Sequence, residues 1–276
     1  MGQTLSEPVT TKESSCCQNS KLKVGSSCMQ GWRITMEDAH TQILSLPDDP
    51  GTAFFGVYDG HGGACIAQYA GAHLHNSIVR RPEYKAGNIP EALRKANVGD
   101  SRAVACIAGH VEPLSQDHKP NNEDECQRIL AAGGYVEFNR VNGNLALSRA
   151  LGDFNFKKND KKSAEEQMVT AYPDVEIRDI TTEWEFIVIA CDGIWDVMTN
   201  EEVVEFVRMR VGTGMEPEDI CQDLMMRCLA PDCQMGGLGC DNMTVVIVCF
   251  LHEMPYSRLC DHCAKPVPLT ETGLLQ

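Results

Sequence analysis

Three of the most apolar stretches in the chain begin or end in an aspartate. Asp59 follows Ala53-Phe54-Phe55-Gly56-Val57-Tyr58, Asp192 follows the run Glu185 to Cys191, and Asp241 stands just ahead of Met243 to Phe250. A carboxylate at the tip of a buried strand is held firmly at the point where the chain meets solvent. Gly60 and Gly193, the residues that follow two of them, let the backbone come close to a ligand. A single such aspartate is most often a turn residue. Three of them, joined by Glu37, are harder to read that way, because crowded carboxylates stay ionised only with positive charge among them. A divalent cation supplies that charge, and an all-oxygen donor set favours Mg²⁺ or Mn²⁺ over zinc.

Two further side chains suit the same chemistry. His61 lies two residues after Asp59 between glycines. A lone histidine is usually structural or superficial, but an imidazole close to metal without ligating it is well placed to act as a general acid. Strand alternation over residues 31–40 puts Trp32, Ile34 and Met36 on one face and Arg33, Thr35 and Glu37 on the other. Arg33 is then either a surface charge or a clamp for an anion, since a guanidinium fork matches phosphate oxygens.

The elements that must carry these residues are legible in outline. Residues 1–22 are polar and rich in Ser and Thr, and are expected to be a disordered tail. Residues 23–252 are expected to form one domain, and residues 253–276 a loose tail. A helical pattern (Ile66, Tyr69, Ala70, Leu74) follows Gly63, and a polar segment with Pro82, Gly87 and Pro90 reads as a loop with room for one turn of helix. A hairpin is expected from Ala96-Asn97-Val98 through Gly99-Asp100 to residues 103–107, then a helix over 122–132 closed by Gly133. Asn142-Gly143 signals a tight hairpin turn, and residues 154–170 read as a charged loop. Thr199 and Glu202 have capping-box spacing ahead of a helix, a second helix spans 219–229, and a glycine-rich loop at 236–240 delivers Asp241-Asn242.

Composition narrows the function classes. The chain has 276 residues and a formal net charge of −15, which disfavours general affinity for nucleic acid or anionic lipid. No run approaches the roughly 20 apolar residues that cross a bilayer, and the N-terminus shows no basic segment followed by an apolar core. The 14 cysteines are therefore expected in a reducing compartment, mostly as small buried hydrophobes. Cys260 and Cys263 form a Cys-x-x-Cys without a matching second pair, which argues against zinc. Met1-Gly2-Gln3-Thr4-Leu5-Ser6 fits the pattern for N-myristoylation of Gly2, and equally a tail that happens to begin Met-Gly. The expected location is the cytoplasm, with the nucleus or the membrane periphery as alternatives.

Six segments in order resemble the signature motifs of the type 2C metal-dependent protein serine/threonine phosphatases, the PPM family. They are Trp32-Arg33 with Met36-Glu37-Asp38-Ala39-His40, Val57-Tyr58-Asp59-Gly60-His61-Gly62-Gly63, Asn97-Val98-Gly99-Asp100-Ser101-Arg102, Ser148-Arg149-Ala150-Leu151-Gly152-Asp153, Ala190-Cys191-Asp192-Gly193-Ile194-Trp195-Asp196 and Asp241-Asn242-Met243-Thr244. The resemblance implies an α+β sandwich of two antiparallel sheets flanked by helices, with metals in the cleft at one end. It implies that Asp59 bridges two Mn²⁺ or Mg²⁺ ions, that Asp192 and Asp241 complete one, and that Glu37 and the Gly60 carbonyl hold the other. Asp38 would orient metal-bound water, Arg33 would bind the phosphoryl group, and His61 would protonate the leaving Ser or Thr oxygen. Asp100 and Asp196, with Asp192, resemble a third and weaker metal site. The implied substrates are phosphoproteins, taken by a monomer.

In one place the sequence departs from the family. A helix and a central strand that precede the Val-Gly-Asp-Ser-Arg hairpin in the family are missing, because Arg94-Lys95 runs directly into Ala96-Asn97-Val98. Loss of a central strand leaves neighbours unpaired. The alternative to an active phosphatase is therefore a catalytically impaired isoform that binds substrates or partners. A nuclease reading is disfavoured by the charge.

Overall fold

The computed structural model describes residues 4–94, 101–233 and 237–267. The chain begins with β1 (Thr4–Gln18), β2 (Leu22–Arg33), β3 (Ala39–Ile43) and β4 (Phe54–Tyr58). Then come α1 (Cys65–Val79), the short α2 (Pro82–Lys85) and α3 (Ile89–Arg94), β5 (Arg102–Ile107), β6 (His110–Pro113), α4 (Glu123–Ala131), β7 (Val136–Glu137) and β8 (Arg140–Val141). The last part holds β9 (Trp184–Ala190), α5 (Asp192–Trp195), α6 (Asn200–Gly212), α7 (Pro217–Cys228), β10 (Met243–Phe250) and α8 (Tyr256–Cys263).

Six strands in the order β1-β2-β10-β9-β5-β6 form one antiparallel sheet, and β3-β4 form a second, two-stranded sheet. β10 is buried along its whole length, as an unbroken apolar run predicts. Its side chains alternate. Val245, Ile247 and Cys249 join the main core with Val207, Ile220 and Leu224 of α6 and α7, while Val246 and Val248 point the other way with Val24 and Val57. The small sheet packs on that second face, and α1 covers its outside. The layers thus run helix, sheet, sheet, helix, as the family resemblance implies.

Thr199 caps α6 as its spacing predicts: its side chain accepts from Glu202 N at 3.2 Å, and the Glu202 carboxylate accepts from Thr199 N at 2.9 Å.

Several expectations are corrected. Residues 4–18 are a strand rather than a disordered tail, pairing antiparallel with β2 from Thr4↔Arg33 to Gln18↔Lys23. Backbone hydrogen bonds hold this polar, mostly exposed edge, so no side-chain pattern announces it. The segment after residue 252 contains α8, whose Leu259, Cys260 and Cys263 enter the main core. β2 stops at Arg33, and residues 34–38 form a loop that leaves Ile34 49% exposed. The expected turn at Asn142-Gly143 is present, with positive φ at both residues and a bridge between Val141 and Leu145, while the paired strands β7 and β8 are joined by a further turn four positions earlier, through Phe138-Asn139. Cys233 and Cys240 lie side by side, with Cα atoms 5.9 Å apart, buried in a small cluster with Trp32. The first strand of the 96–107 hairpin and its turn lie outside the described residues.

Candidate active site

Four chain segments meet at one end of the sandwich. β2 and β10 run antiparallel with Met29 opposite Met243, and β10 and β9 with Val245 opposite Ala190. This register brings Arg33, the residue that closes β2, beside Asp241, which precedes β10. It also sets Asp192, the first residue of α5, at the same edge. Arg33 and Asp241 form an ion pair. β4, from the other sheet, delivers Asp59 and Gly60. Arg33, Glu37, Asp59, His61, Asp192 and Asp241, with Gly60, line one open cavity of about 410 Å³.

Glu37 and Asp38 reach this place on the loop between β2 and β3, and Asn242 holds that loop. Its Oδ1 accepts from Glu37 N at 2.9 Å, and its Nδ2 donates to Gln30 O at 2.8 Å and Thr35 O at 3.0 Å. Glu37 in turn accepts from Gly63 N at 3.0 Å and from Thr35 Oγ1 at 2.9 Å, tying the β4–α1 loop to the β2–β3 loop. A Cβ at Gly60 would lie 2.1 Å from Glu37 O, so only glycine permits this approach.

Asp38 sits behind the cavity, 8% exposed, and accepts from Thr244 Oγ1 at 2.8 Å. Burial pushes its carboxyl up to about 6, although the hydrogen bonds from Thr244 and Cys191 pull the other way. Ligand atoms of Asp38, Asp59 and Cys191 lie within 4.8 Å of one another. Complete burial drives the Cys191 thiol far up, and its sulfur is engaged by Thr244 N at 3.2 Å and Asn242 O at 3.5 Å. A neutral thiol is a poor metal ligand. The donors that remain are oxygens, a set that fits a hard divalent cation.

His61 Nε2 lies 2.6 Å from Asp153 Oδ2. Asp196 is apart from the group: it pairs with Lys119 at 3.0 Å and faces a separate cavity beside Arg102 and Asn200. Asp100 and Gly2 lie outside the described residues. Sequence reasoning gave no role to Asn242, Cys191 or Asp153. An amide next to a strand-tip aspartate is a usable signal for the first. The last is joined to His61 across 92 positions, which no local pattern reveals.

The family model described as protein phosphatase 2C matches residues 22–96 and 88–235. The chain belongs to the protein phosphatase 2C family. It is an enzyme of the protein serine/threonine phosphatase class, a hydrolase acting on phosphoproteins. A Caenorhabditis elegans protein named as a probable protein phosphatase 2C is 56% identical over 306 residues, covering 98% of this chain and 86% of that protein. Protein phosphatase 2C homolog 2 of Schizosaccharomyces pombe is 46% identical over 293 residues, covering 91% and 79%. Among solved structures, a phosphatase from Toxoplasma gondii superposes with a TM-score of 0.69 at 24% identity, covering 87% of this chain and 96% of that one. A C. elegans sex-determining protein gives 0.69 at 23%, covering 90% and 68%. At such identities these structures speak for the fold of the phosphatase.

The comparisons also bear on the missing segment. The family model matches in two pieces that meet at residues 88–96. The C. elegans alignment runs over 306 positions against the 276 residues of this chain, so at least 30 positions of the relative have no counterpart here.

Proposed function

We propose that this phosphatase hydrolyses phosphoserine and phosphothreonine in proteins with Mn²⁺ or Mg²⁺ held by Glu37, Asp59, Asp192, Asp241 and the Gly60 carbonyl. Cations bound by such a set supply activated water near neutral pH and charge to offset the phosphoryl oxygens. Arg33, already at the cavity wall, offers its guanidinium fork to those oxygens. Asp38, behind the cavity and steadied by Thr244, accepts a hydrogen bond from the attacking water and sets its direction. His61 donates a proton to the departing Ser or Thr oxygen.

The observation that carries this reading is the convergence of four acidic side chains, an arginine and a histidine on one cavity at the sandwich end. The test is release of phosphate from a phosphothreonine peptide by the purified chain, with Mn²⁺ and with EDTA, beside Asp59→Asn. Turnover that needs the metal and vanishes in the variant is expected. A folded preparation without turnover would overturn the active reading and leave the binding isoform.

A further inference from the structure

Asp153 is an unusual residue in an unusual conformation. Its φ is +47°, in the left-handed region, where side chains other than glycine are strained, although aspartate is among those that tolerate it. Such an outlier persists only when its surroundings hold it, and it then points to a role. The surroundings here are explicit. Arg149 anchors the segment by donating to Glu125 Oε1 from Nε at 2.9 Å and from Nη2 at 2.7 Å, and to Asp174 Oδ1 from Nη1 at 2.9 Å. Ala150 N donates to Thr170 O at 3.0 Å, and Lys157 Nζ donates to Ala150 O at 2.6 Å. A segment pinned on both sides delivers one carboxylate to one place, 2.6 Å from His61 Nε2.

That contact has a geometric consequence. An imidazole has two nitrogens, and the hydrogen bond made by one fixes the orientation of the other. With Nε2 engaged, Nδ1 is the nitrogen left to meet substrate. His61 has glycines on both sides and lines the cavity shared by Arg33, Asp59 and Asp241. Glycine-flanked backbone does little to fix a ring, so its direction has to come from the side chain's own partner.

We infer that Asp153 is a positioning residue for the hydrolysis: its carboxylate holds His61 Nε2 and turns Nδ1 toward the oxygen that leaves phosphorus. The inference rests on the reading of His61 as proton donor. In the step concerned, the oxygen of water bonds to phosphorus and the bond from phosphorus to the Ser or Thr oxygen breaks. The leaving oxygen takes its proton from the imidazole, which regains one from solvent. Only a poor leaving group needs that proton. An alkoxide does, and p-nitrophenolate does not.

The experiment follows from that difference. The full chain with Mn²⁺ is assayed on a phosphothreonine peptide and on p-nitrophenyl phosphate, as wild type and as Asp153→Ala, Asp153→Gly, Asp153→Asn and His61→Gln. Glycine removes the carboxylate and the backbone strain together, so this variant is expected to be the more stable of the two. The expected result is a fall in kcat of about tenfold or more on the peptide for the alanine and glycine variants, with KM little changed and p-nitrophenyl phosphate turnover within about threefold of wild type. Asn, which can still accept from Nε2, is expected to recover much of the peptide rate. In the His61→Gln background, Asp153→Gly is expected to add nothing. Equal losses on both substrates, or a full additional loss in that background, would overturn the inference. If His61→Gln spares peptide turnover, the reading of His61 itself fails. If His61→Gln shows the leaving-group difference and Asp153→Gly does not, only the role of Asp153 fails.

Discussion

At the scale of single residues, Asn242 shows how much of the site depends on a group that touches no substrate. It is 5% exposed, and its amide serves two backbone groups of the β2–β3 loop, Thr35 O and Glu37 N, and one of β2, Gln30 O. Asn242→Ala strands buried donors and acceptors, with a cost of about 1–3 kcal/mol for such a group. The same change frees Glu37, so calorimetry is expected to show a lower Tm, and activity should fall by more than the unfolded fraction explains. An unchanged Mn²⁺ affinity in the folded variant would contradict this. Glu125 makes a separate prediction. Burial raises its carboxyl, but hydrogen bonds from Arg128, Arg149 and Ser148 outweigh that and hold it at about 2, against an ordinary value of 4.5. A depressed folded-state value means stability that is fully present above pH 4.5 and is lost as pH falls toward 2. The difference corresponds to about 3 kcal/mol. Urea titrations between pH 6 and pH 3 should show this slope, and Glu125→Gln should flatten it while lowering stability at neutral pH.

At the scale of elements, α8 is fastened by a buried charge cluster. Glu185 on β9, 2% exposed on its side chain, pairs with Arg208 of α6 at 2.9 Å and with His262 of α8 at 3.0 Å. Arg208 also donates to Lys265 O at 2.9 Å and His262 O at 3.3 Å. Glu185→Ala leaves the guanidinium buried without its partner, which costs about 3–5 kcal/mol, whereas the double change Glu185→Leu with Arg208→Met is expected to cost less. A double variant as unstable as the single one, measured by chemical denaturation, would mean that the pair matters for more than its charges. This helix was not legible in the sequence. Its eight residues are too few for a clear period, and its reason for folding lies in partners 54 and 78 positions away. β1 escaped notice for a related reason, since an edge strand held by backbone bonds has no apolar face to display. By contrast, β4, β9 and β10 were visible because strands buried on both faces are written as continuous apolar runs. The candidate site was visible for the same reason, as its carboxylates stand at the ends of those runs. What stayed hidden was the loop between β2 and β3, where alternation placed Glu37 and Arg33 on one strand face. Asn242 brings the loop in instead.

At the scale of the whole molecule, the two halves of the site have unequal foundations. Arg33, Asp192 and Asp241 stand on a six-stranded sheet backed by three helices, while Asp59 and His61 follow a sheet that has two strands among the described residues. A two-stranded sheet is marginal by itself. Hydrogen exchange is expected to be fastest in β3, β4 and α1 and slowest in β2, β9 and β10. Mn²⁺ bound across the seam should slow exchange in the first group and raise Tm, and Asp59→Asn should abolish both effects. Uniform exchange across the two sheets would count against this division. The register of β1 carries a practical consequence for anyone handling the protein. Thr4 is paired with Arg33, and paired strands are about 5 Å apart. Anything joined to the chain ahead of Thr4 therefore starts out beside the mouth of the catalytic cleft. An affinity tag at that end is a tethered neighbour of the substrate, and its removal is expected to lower the KM measured on a phosphopeptide.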